Sequence, residues 1–469
     1  MLKRVCLLSI ILLLAACAAP ATPTAVPTAM SAPTVTPTPT ATPTPSPTPI
    51  PVAPPVKIVV DPSVVGQTIR EVGGGNFIHR FGGVTRPLDP VSTMNLEMLQ
   101  MDVIRVRMDL DEWEPVNDDD DPMQFSWDAF RHGVYNRATF GLMQELSTRG
   151  VTLVASSWAV PDWLVENPEA DRQQRIKEGL EPEAIEMIAA WLLTARDEYG
   201  VEVAYVSFNE ADYGVNVRLT PEEYGAIVAE AGPRFAELGL ETRWLLADSA
   251  NLGGCHLYAR KIWGQSDARL YLGPLACHSW DGLRVPVQSL ERLGAYAEEL
   301  DRELWITEGG WDSQLWQRSK EFPTWTNALR LATSYSRVLK SARATTFLYW
   351  QMSGRDYSTN DGQNAYPSLE ILAQYARAFP PGSQVVGTSP DLLTLYSVAV
   401  QSPEHFSLHL VNTERRMLPL QIEGLPAGTY QHVVSDEMGV LQEAGTVEGG
   451  AMVEVMLPPK SVNVLSAAQ

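Results

Sequence analysis

Cysteine is scarce in this chain of 469 residues, which contains four, and that scarcity excludes a fold built on disulfide bonds. The sequence has no CxxC pair and no cluster of histidines, so it predicts no metal site. Basic residues are also few, because 35 Lys and Arg stand against 56 Asp and Glu for a formal charge of −21. An acidic surface repels phosphate backbones, so we expect no nucleic-acid partner.

The first 17 residues have the pattern of an export signal. Lys3 and Arg4 precede an apolar run, Leu7–Leu14, that is too short to span a bilayer comfortably. The segment Leu14–Cys17 resembles a bacterial lipobox, which implies cleavage before Cys17 and attachment of lipid to that cysteine. A plain secretory signal is the alternative. We expect an exported lipoprotein, anchored to a membrane through Cys17, at the bacterial cell surface or in the periplasm.

Residues 18–56 form a linker rather than a folded domain. They contain 13 Pro, 10 Thr and no charged residue, so they cannot bury a core and favour extended polyproline II. We interpret this segment as a stalk that holds the folded part of the chain away from a membrane.

Residues 72–379 alternate short apolar runs with amphipathic stretches. Eight runs, each typical of a strand buried on both faces, are Val72–Phe77, Val103–Val106, Val151–Ser156, Val203–Phe208, Arg243–Ala247, Leu270–Cys277, Leu304–Thr307 and Thr346–Trp350. About 300 residues of repeated βα units fit a (β/α)8 TIM barrel. A doubly wound open sheet is the structural alternative, but no GxGxxG pattern follows a strand.

Residues 380–469 show short alternating runs separated by Gly, Pro and Asn, which predict an antiparallel β-sandwich. Lys57–Val60 lies in segment 57–71, before the barrel, and has the pattern of a strand that joins this C-terminal sheet. The predicted fold class is therefore α/β, a TIM barrel with an associated β-sandwich side domain. The folded part contains Cys255 and Cys277. The sequence does not decide whether they form a disulfide bond or remain two free thiols.

Two glutamates end predicted barrel strands. Glu210 follows Asn209 after the fourth strand, and Glu308 ends the seventh strand, 98 residues further along the chain. Because the strand ends of a closed barrel face one mouth, we expect the two carboxylates to meet there. Such a pair can divide the roles of acid and nucleophile, and Arg105, near the end of the second strand, would keep one of them ionised.

In their order along the chain these strand ends resemble glycoside hydrolase family 30 of clan A. The resemblance spans residues 57–469 and rests on Ile104-Arg105-Val106, Ser157-Trp158, Asn209-Glu210, Cys277-His278-Ser279-Trp280, Glu308 and Phe347-Leu348-Tyr349-Trp350. It implies a β-glycoside hydrolase that acts with retention, with Glu210 as general acid/base and Glu308 as nucleophile. A neighbouring clan A family is an alternative, because Arg107 and the segment 73–76 depart from the family pattern.

The resemblance also implies a substrate site, since sugar rings stack on the faces of strand-end tryptophans. The predicted substrate-binding residues are Arg105, Trp158, Asn209, His278, Trp280, Trp311 and Trp350. The expected partner is an oligo- or polysaccharide, and no cofactor is predicted. A second hypothesis is a non-catalytic carbohydrate-binding lipoprotein that uses the barrel as a scaffold. The sequence indicates neither the sugar nor the oligomeric state.

The acidic run Asp118–Asp121 is interpreted as a solvated loop. Four consecutive carboxylates attract cations, but the ligand spacing of a calcium-binding loop is absent from this segment. We therefore predict no calcium site there.

Overall fold

The computed structural model describes residues 54–78, 88–450 and 452–467. The predicted signal peptide, Cys17 and residues 18–53 of the predicted linker lie outside the described residues. In the part of the chain that the structure describes, no helix combines the length and the apolar character needed to cross a membrane.

Eight parallel strands close into a barrel in which strands that follow one another in the chain are neighbours. They are β2 (Glu71–Phe77), β3 (Val103–Asp109), β4 (Thr152–Ala159), β5 (Tyr205–Phe208), β6 (Arg243–Ser249), β7 (Leu272–His278), β8 (Leu304–Gly309) and β9 (Thr346–Tyr349). The predicted TIM barrel is confirmed, and each predicted apolar run overlaps one of these strands.

Helices connect the barrel strands. They are α1 (Pro90–Met98), α2 (Leu110–Trp113), α3 (Val134–Ser147), α4 (Glu181–Tyr199), α5 (Pro221–Glu237), α6 (Cys255–Trp263), α7 (Val287–Glu299), α8 (Trp325–Arg337) and α9 (Pro367–Ala378). Local sequence sets their ends. Thr220 and Glu223 exchange side chain-to-backbone hydrogen bonds in a capping box that starts α5. Gly200, at φ +68°, ends α4 in the left-handed conformation that glycine adopts without strain.

A nine-stranded sheet forms the side domain from both ends of the described chain. Its strands are β1 (Val56–Thr68), β10 (Gln384–Thr388), β11 (Leu395–Ser402), β12 (His405–Asn412), β13 (Leu418–Glu423), β14 (Gly428–Asp436), β15 (Gly439–Gly449), β16 (Met452–Leu457) and β17 (Ser461–Ala467). Neighbouring strands are antiparallel except β1 and β13, which are parallel. Apolar residues from both halves of the sheet share one core, so it is folded into two layers.

The interior of the barrel is filled below the mouth by a layer of inward-facing apolar side chains. They are Val103, Val154, Leu245, Ala276, Trp305 and Leu348, all buried. Side chains alternate along a strand, so residues two positions after this layer also point inward, nearer the carboxyl ends. Arg105 on β3 and Thr307 on β8 occupy such positions. The polar side chains of the interior therefore begin directly above an apolar floor.

Candidate active site

Polar side chains converge where barrel strands β5 to β8 end. Asn209 and Glu210 follow β5, Asp248 lies near the end of β6, His278 ends β7 and Glu308 lies near the end of β8. All five residues are buried, and Glu210 and Glu308 keep 8% and 4% of their surface exposed. The two glutamates therefore reach the barrel mouth, which is the expected place for chemistry in this architecture.

Glu210 and Glu308 meet at the imidazole of His278. Nδ1 of His278 lies 2.8 Å from Oε1 of Glu210 and 3.2 Å from Oε2 of Glu308. A carboxylate oxygen of each glutamate and a ring nitrogen of His278 all lie within 4.8 Å of one another. A proton on Nδ1 thus faces both carboxylates, and their convergence across the barrel mouth is what the sequence predicted.

Arg105 organises the floor of the site through five hydrogen bonds. Its side chain is fully buried and donates to Glu308 Oε1 at 2.9 Å and to Asp248 Oδ2 at 2.8 Å. It also donates to Asn209 Oδ1 at 2.7 Å, and its remaining bonds are to Ser156 and Asn76. Charge-assisted bonds of this kind fix both the position and the charge of an acceptor. Arg105 therefore holds Glu308 from behind rather than lining the cleft.

Asp248 is a buried carboxylate that the sequence reasoning missed. It accepts hydrogen bonds from Arg105, Ser207 and Thr307, and its Oδ1 lies 3.4 Å from Nε2 of His278. Burial by itself would raise the pKa of Asp248, but the charges of Arg105 and His278 outweigh burial and hold the pKa well below its usual range. A permanently ionised Asp248 stabilises both cations. Its signal was available in the sequence, since it follows the apolar run Trp244–Ala247.

The charges around His278 keep it protonated. Burial alone would lower its pKa, but Glu308, Asp248 and Glu210 outweigh burial and raise the pKa of His278 to about 10. Burial also raises the pKa of Glu308, to about 7, against the opposing effects of His278 and Arg105. The nearby Glu210 adds to this increase. Glu308 thus changes its charge near neutral pH beside two groups that stay positive.

Glu210 has a backbone conformation that is rare for a residue with a side chain. Its φ is +49°, in the left-handed region, and such conformations cost on the order of 1–3 kcal/mol. Its N–H donates to Asp248 O at 3.2 Å, and its carbonyl accepts from the N–H groups of Tyr213 and Gly214 at 3.0 and 2.7 Å. These bonds hold the sharp turn after β5 and direct the Glu210 side chain toward His278. Strain of this kind is concentrated at functional sites.

An open cleft of about 550 Å³ lies over the two glutamates. Of the predicted site residues, Trp158, Asn209, Glu210, Trp280, Glu308 and Trp350 line it. Further lining residues that the sequence reasoning did not select include Arg172, Tyr213, Asn251, Trp316, Gln351, Asp356 and Tyr357. They lie in loops after several strands, where periodicity carries no signal. The cleft therefore combines aromatic faces with polar side chains around a pair of acids.

Three of the predicted tryptophans form the aromatic part of the cleft. The rings of Trp158 and Trp350 lie 5.5 Å apart, and the guanidinium of Arg105 lies 4.5 Å from the ring centre of Trp158. The ring centre of Trp280 lies 5.4 Å from that of Tyr357. Their rings are fixed by these contacts, so they offer rigid apolar faces.

Besides Arg105, two predicted site residues, His278 and Trp311, do not line the cleft. His278 is fully buried beneath the glutamates and acts on them rather than on the cleft. Trp311 is absent from the cleft lining; its Nε1 donates to Asn327 Oδ1 at 2.8 Å and Arg330 lies over its ring at 4.6 Å. These contacts are typical of a packing residue, and a sugar-binding role for Trp311 stays a prediction.

Cys255 and Cys277 are both free thiols and both buried. The question that the sequence left open is thus answered in favour of two thiols. Sγ of Cys255 approaches the carbonyl of Ala276 at 3.6 Å, and burial raises the pKa of the Cys277 thiol well above its usual value. Buried thiols in apolar surroundings are inert, so we assign these cysteines to packing.

The fold is that of glycoside hydrolase family 30 enzymes. An endoxylanase of that family from Clostridium papyrosolvens and a subfamily 8 xylanase from Clostridium acetobutylicum have TM-scores of 0.68 and 0.69 and are 16% and 14% identical to this chain. The catalytic domain of xylanase C from Talaromyces cellulolyticus has a TM-score of 0.67 at 16% identity. Each comparison covers 88% of this chain and 100% of the other. No protein-family model matches the chain, and no curated protein is significantly similar to it.

Proposed function

We propose that this protein is a retaining β-glycoside hydrolase that cleaves an oligo- or polysaccharide, with Glu308 as nucleophile and Glu210 as general acid/base. The observation that carries the proposal is the proximity of the two carboxylates, which have oxygens within 4.8 Å of each other at the barrel mouth. Retaining enzymes place their two carboxyl groups about 5–5.5 Å apart, whereas inverting enzymes leave roughly 6.5–9.5 Å for a water molecule. The fold shared with family 30 xylanases supports the same reaction class.

The surroundings of the two glutamates fit these different roles. A nucleophile is directed by fixed donors, and Glu308 accepts a hydrogen bond from Arg105 and contacts His278. An acid/base exchanges protons with the leaving group and with water, and Glu210 is the more exposed of the two carboxylates. The tryptophans that line the cleft together with Glu210 and Glu308 supply stacking surfaces for sugar rings.

A screen of aryl β-glycosides and β-linked polysaccharides with purified residues 57–469 tests the proposed reaction. We expect hydrolysis of at least one substrate, with the β-anomer as the first product seen by NMR. An α-anomer as first product would reject retention. Tight glycan binding without turnover across the whole panel would instead favour the carbohydrate-binding hypothesis.

The activity is expected to fall in mildly acidic solution. Burial raises the pKa of Glu308 to about 7, and a nucleophile must be ionised. Because protonated Glu308 cannot attack, kcat/KM should decrease about tenfold for each pH unit below about 7. The measurement is kcat/KM against pH on an uncharged aryl glycoside, with circular dichroism at each pH to show that the fold persists. Constant kcat/KM down to about pH 5 would show that the pKa of Glu308 is not raised.

We further propose that the enzyme is exported and attached to a membrane by lipid on Cys17. The support is the sequence pattern of residues 1–17 and the uncharged Pro/Thr-rich segment that follows. Expressed in bacteria with labelled palmitate, the full chain should carry label and partition into detergent, and Cys17→Ser should lose both properties. Cys6→Ser is the matched control, because Cys6 lies in the part that is removed. Equal labelling of the Cys17→Ser variant would reject the anchor.

A further inference from the structure

A second group of buried carboxylates lies apart from the cleft, where the loop after β3 meets the first turns of α4. Glu183 and Glu186 are three residues apart and share a face of α4, and they are 5% and 0% exposed. Asp118 from the loop joins them. One carboxylate oxygen from each of these three residues lies within 4.8 Å of the others. Three negative charges are thus gathered in a volume that one small ion would fill.

Several acceptors in this group have no hydrogen-bond donor among the described residues. Neither carboxylate oxygen of Glu186 has a partner, although the side chain is completely buried. Oε2 of Glu114 and Oδ1 of Asn117, both from the same loop, are buried without a partner as well. Glu114 is 1% exposed, and its Oε1 holds the loop by accepting from the N–H of Asp118 at 3.0 Å. Buried acceptors without donors are rare in folded proteins, so these oxygens are candidate ligands for a cation.

The charge of Arg234 acts on Glu183 and Glu186, but one positive charge does not balance three carboxylates. Arg234 on α5 stacks at 5.3 Å over Phe125, and among the described residues it makes no ion pair within 4.0 Å of Asp118, Glu183 or Glu186. Without a further positive charge, these carboxylates would be buried at a large cost in free energy.

We propose that Asp118, Glu183 and Glu186 bind one calcium ion through their carboxylate oxygens. The donor set consists of carboxylate oxygens, which hard cations prefer, and it contains no thiolate or imidazole that would favour zinc. Calcium takes six to eight oxygens at about 2.3–2.6 Å, so two of its ligands lie up to about 5 Å apart, as these oxygens do. Magnesium requires a smaller, more regular octahedron and binds more weakly here.

The ion would tie the loop after the second barrel strand to the helix after the third. That loop also carries the carbonyl of Glu114, which accepts from Nε1 of Trp163 at 2.9 Å, so three segments at the carboxyl-end face of the barrel are joined. The acidic run Asp118–Asp121 is then not merely a solvated loop. Its first residue contributes a ligand, and the others raise the local negative potential that attracts the ion.

Calorimetry and thermal unfolding of the purified, EDTA-treated protein test the proposal. Titration with CaCl2 should show one ion bound per chain with a dissociation constant of about 10⁻⁵ M or lower, and 1 mM Ca²⁺ should then raise the melting temperature by about 3 °C or more. MgCl2 at the same concentration should give a smaller rise. The absence of calcium binding, or an equal effect of Mg²⁺, would overturn the assignment.

Glu183→Gln and Glu186→Gln supply the matched variants. Each replaces a buried carboxylate by a neutral isostere, so the fold without calcium should be at least as stable as that of the parent. The decisive quantity is the increase in melting temperature on adding calcium, which both variants should lose. Glu237→Gln, at an exposed glutamate that ends α5, should keep it. A calcium-dependent increase that persists in both buried variants would place the ion elsewhere and reject this site.

Discussion

Replacing Glu308 by glutamine is expected to lower kcat by about 10⁴-fold or more on every substrate, because the amide cannot form the covalent glycosyl intermediate. Replacing Glu210 by glutamine should cost about 10²–10⁴-fold on substrates with poor leaving groups. The second loss should shrink for a dinitrophenyl glycoside, whose leaving group departs without protonation. This contrast separates the two roles, since loss of the nucleophile affects both kinds of substrate.

Azide provides a sharper separation of the two glutamates. In Glu308→Ala, azide can occupy the space of the nucleophile and should yield an α-glycosyl azide from a β-glycoside by one displacement. In Glu210→Ala, azide should instead attack the covalent intermediate and yield a β-glycosyl azide. Products of the same configuration from both variants would reject the assignment. Glu299→Gln, at an exposed position on α7, is the control and should keep the parent kcat.

Replacing Arg105 by methionine is expected to destabilise the protein by about 3–5 kcal/mol, because it leaves two buried carboxylates without their main cation. Glu308 and Asp248 would then share a single neighbouring cation, His278, and Asn209 would lose a hydrogen-bond donor. Urea unfolding followed by tryptophan fluorescence measures the change. Arg105→Lys, which keeps the charge but not the fork of donors, should lie between the methionine variant and the parent.

The control for Arg105 is an arginine whose ion pairs lie at the surface. Arg318 pairs with Asp312 and Glu321, but its side chain is 39% exposed, so Arg318→Met should change the free energy of unfolding far less. A change within about 1 kcal/mol for Arg105→Met, the size typical of exposed pairs, would show that the buried network does not carry the charge balance inferred here.

The positions of Glu210 and Glu308 could be predicted because they follow from chain periodicity. A strand buried on both faces is a nearly continuous apolar run, and the first polar residues after it lie at the barrel mouth. Asp248 follows the same rule after β6 and was missed because no second motif drew attention to it. The same rule therefore predicts all three carboxylates at the barrel mouth.

His278 and Trp311 show where the rule ends. Both follow apolar runs, yet one lies buried beneath the acids and the other packs against Asn327 and Arg330. Periodicity gives the strand on which a side chain lies, but its direction beyond the strand end depends on loop geometry and on partners from other strands. Residue type alone cannot distinguish a cleft wall from a packing residue.

The amino-acid pattern by itself determined the alternation of strands and helices, the change to a β-rich C-terminal region and the strand ends that carry the two glutamates, because these depend on local periodicity. Tertiary structure decided which distant side chains share charges and protons. Arg105 meets Asp248 and Glu308 only through barrel closure, and Asp118 meets Glu183 and Glu186 only where a loop packs on α4. Electrostatic interactions depend on distance in space and on burial, and neither is written in the order of residues along a chain.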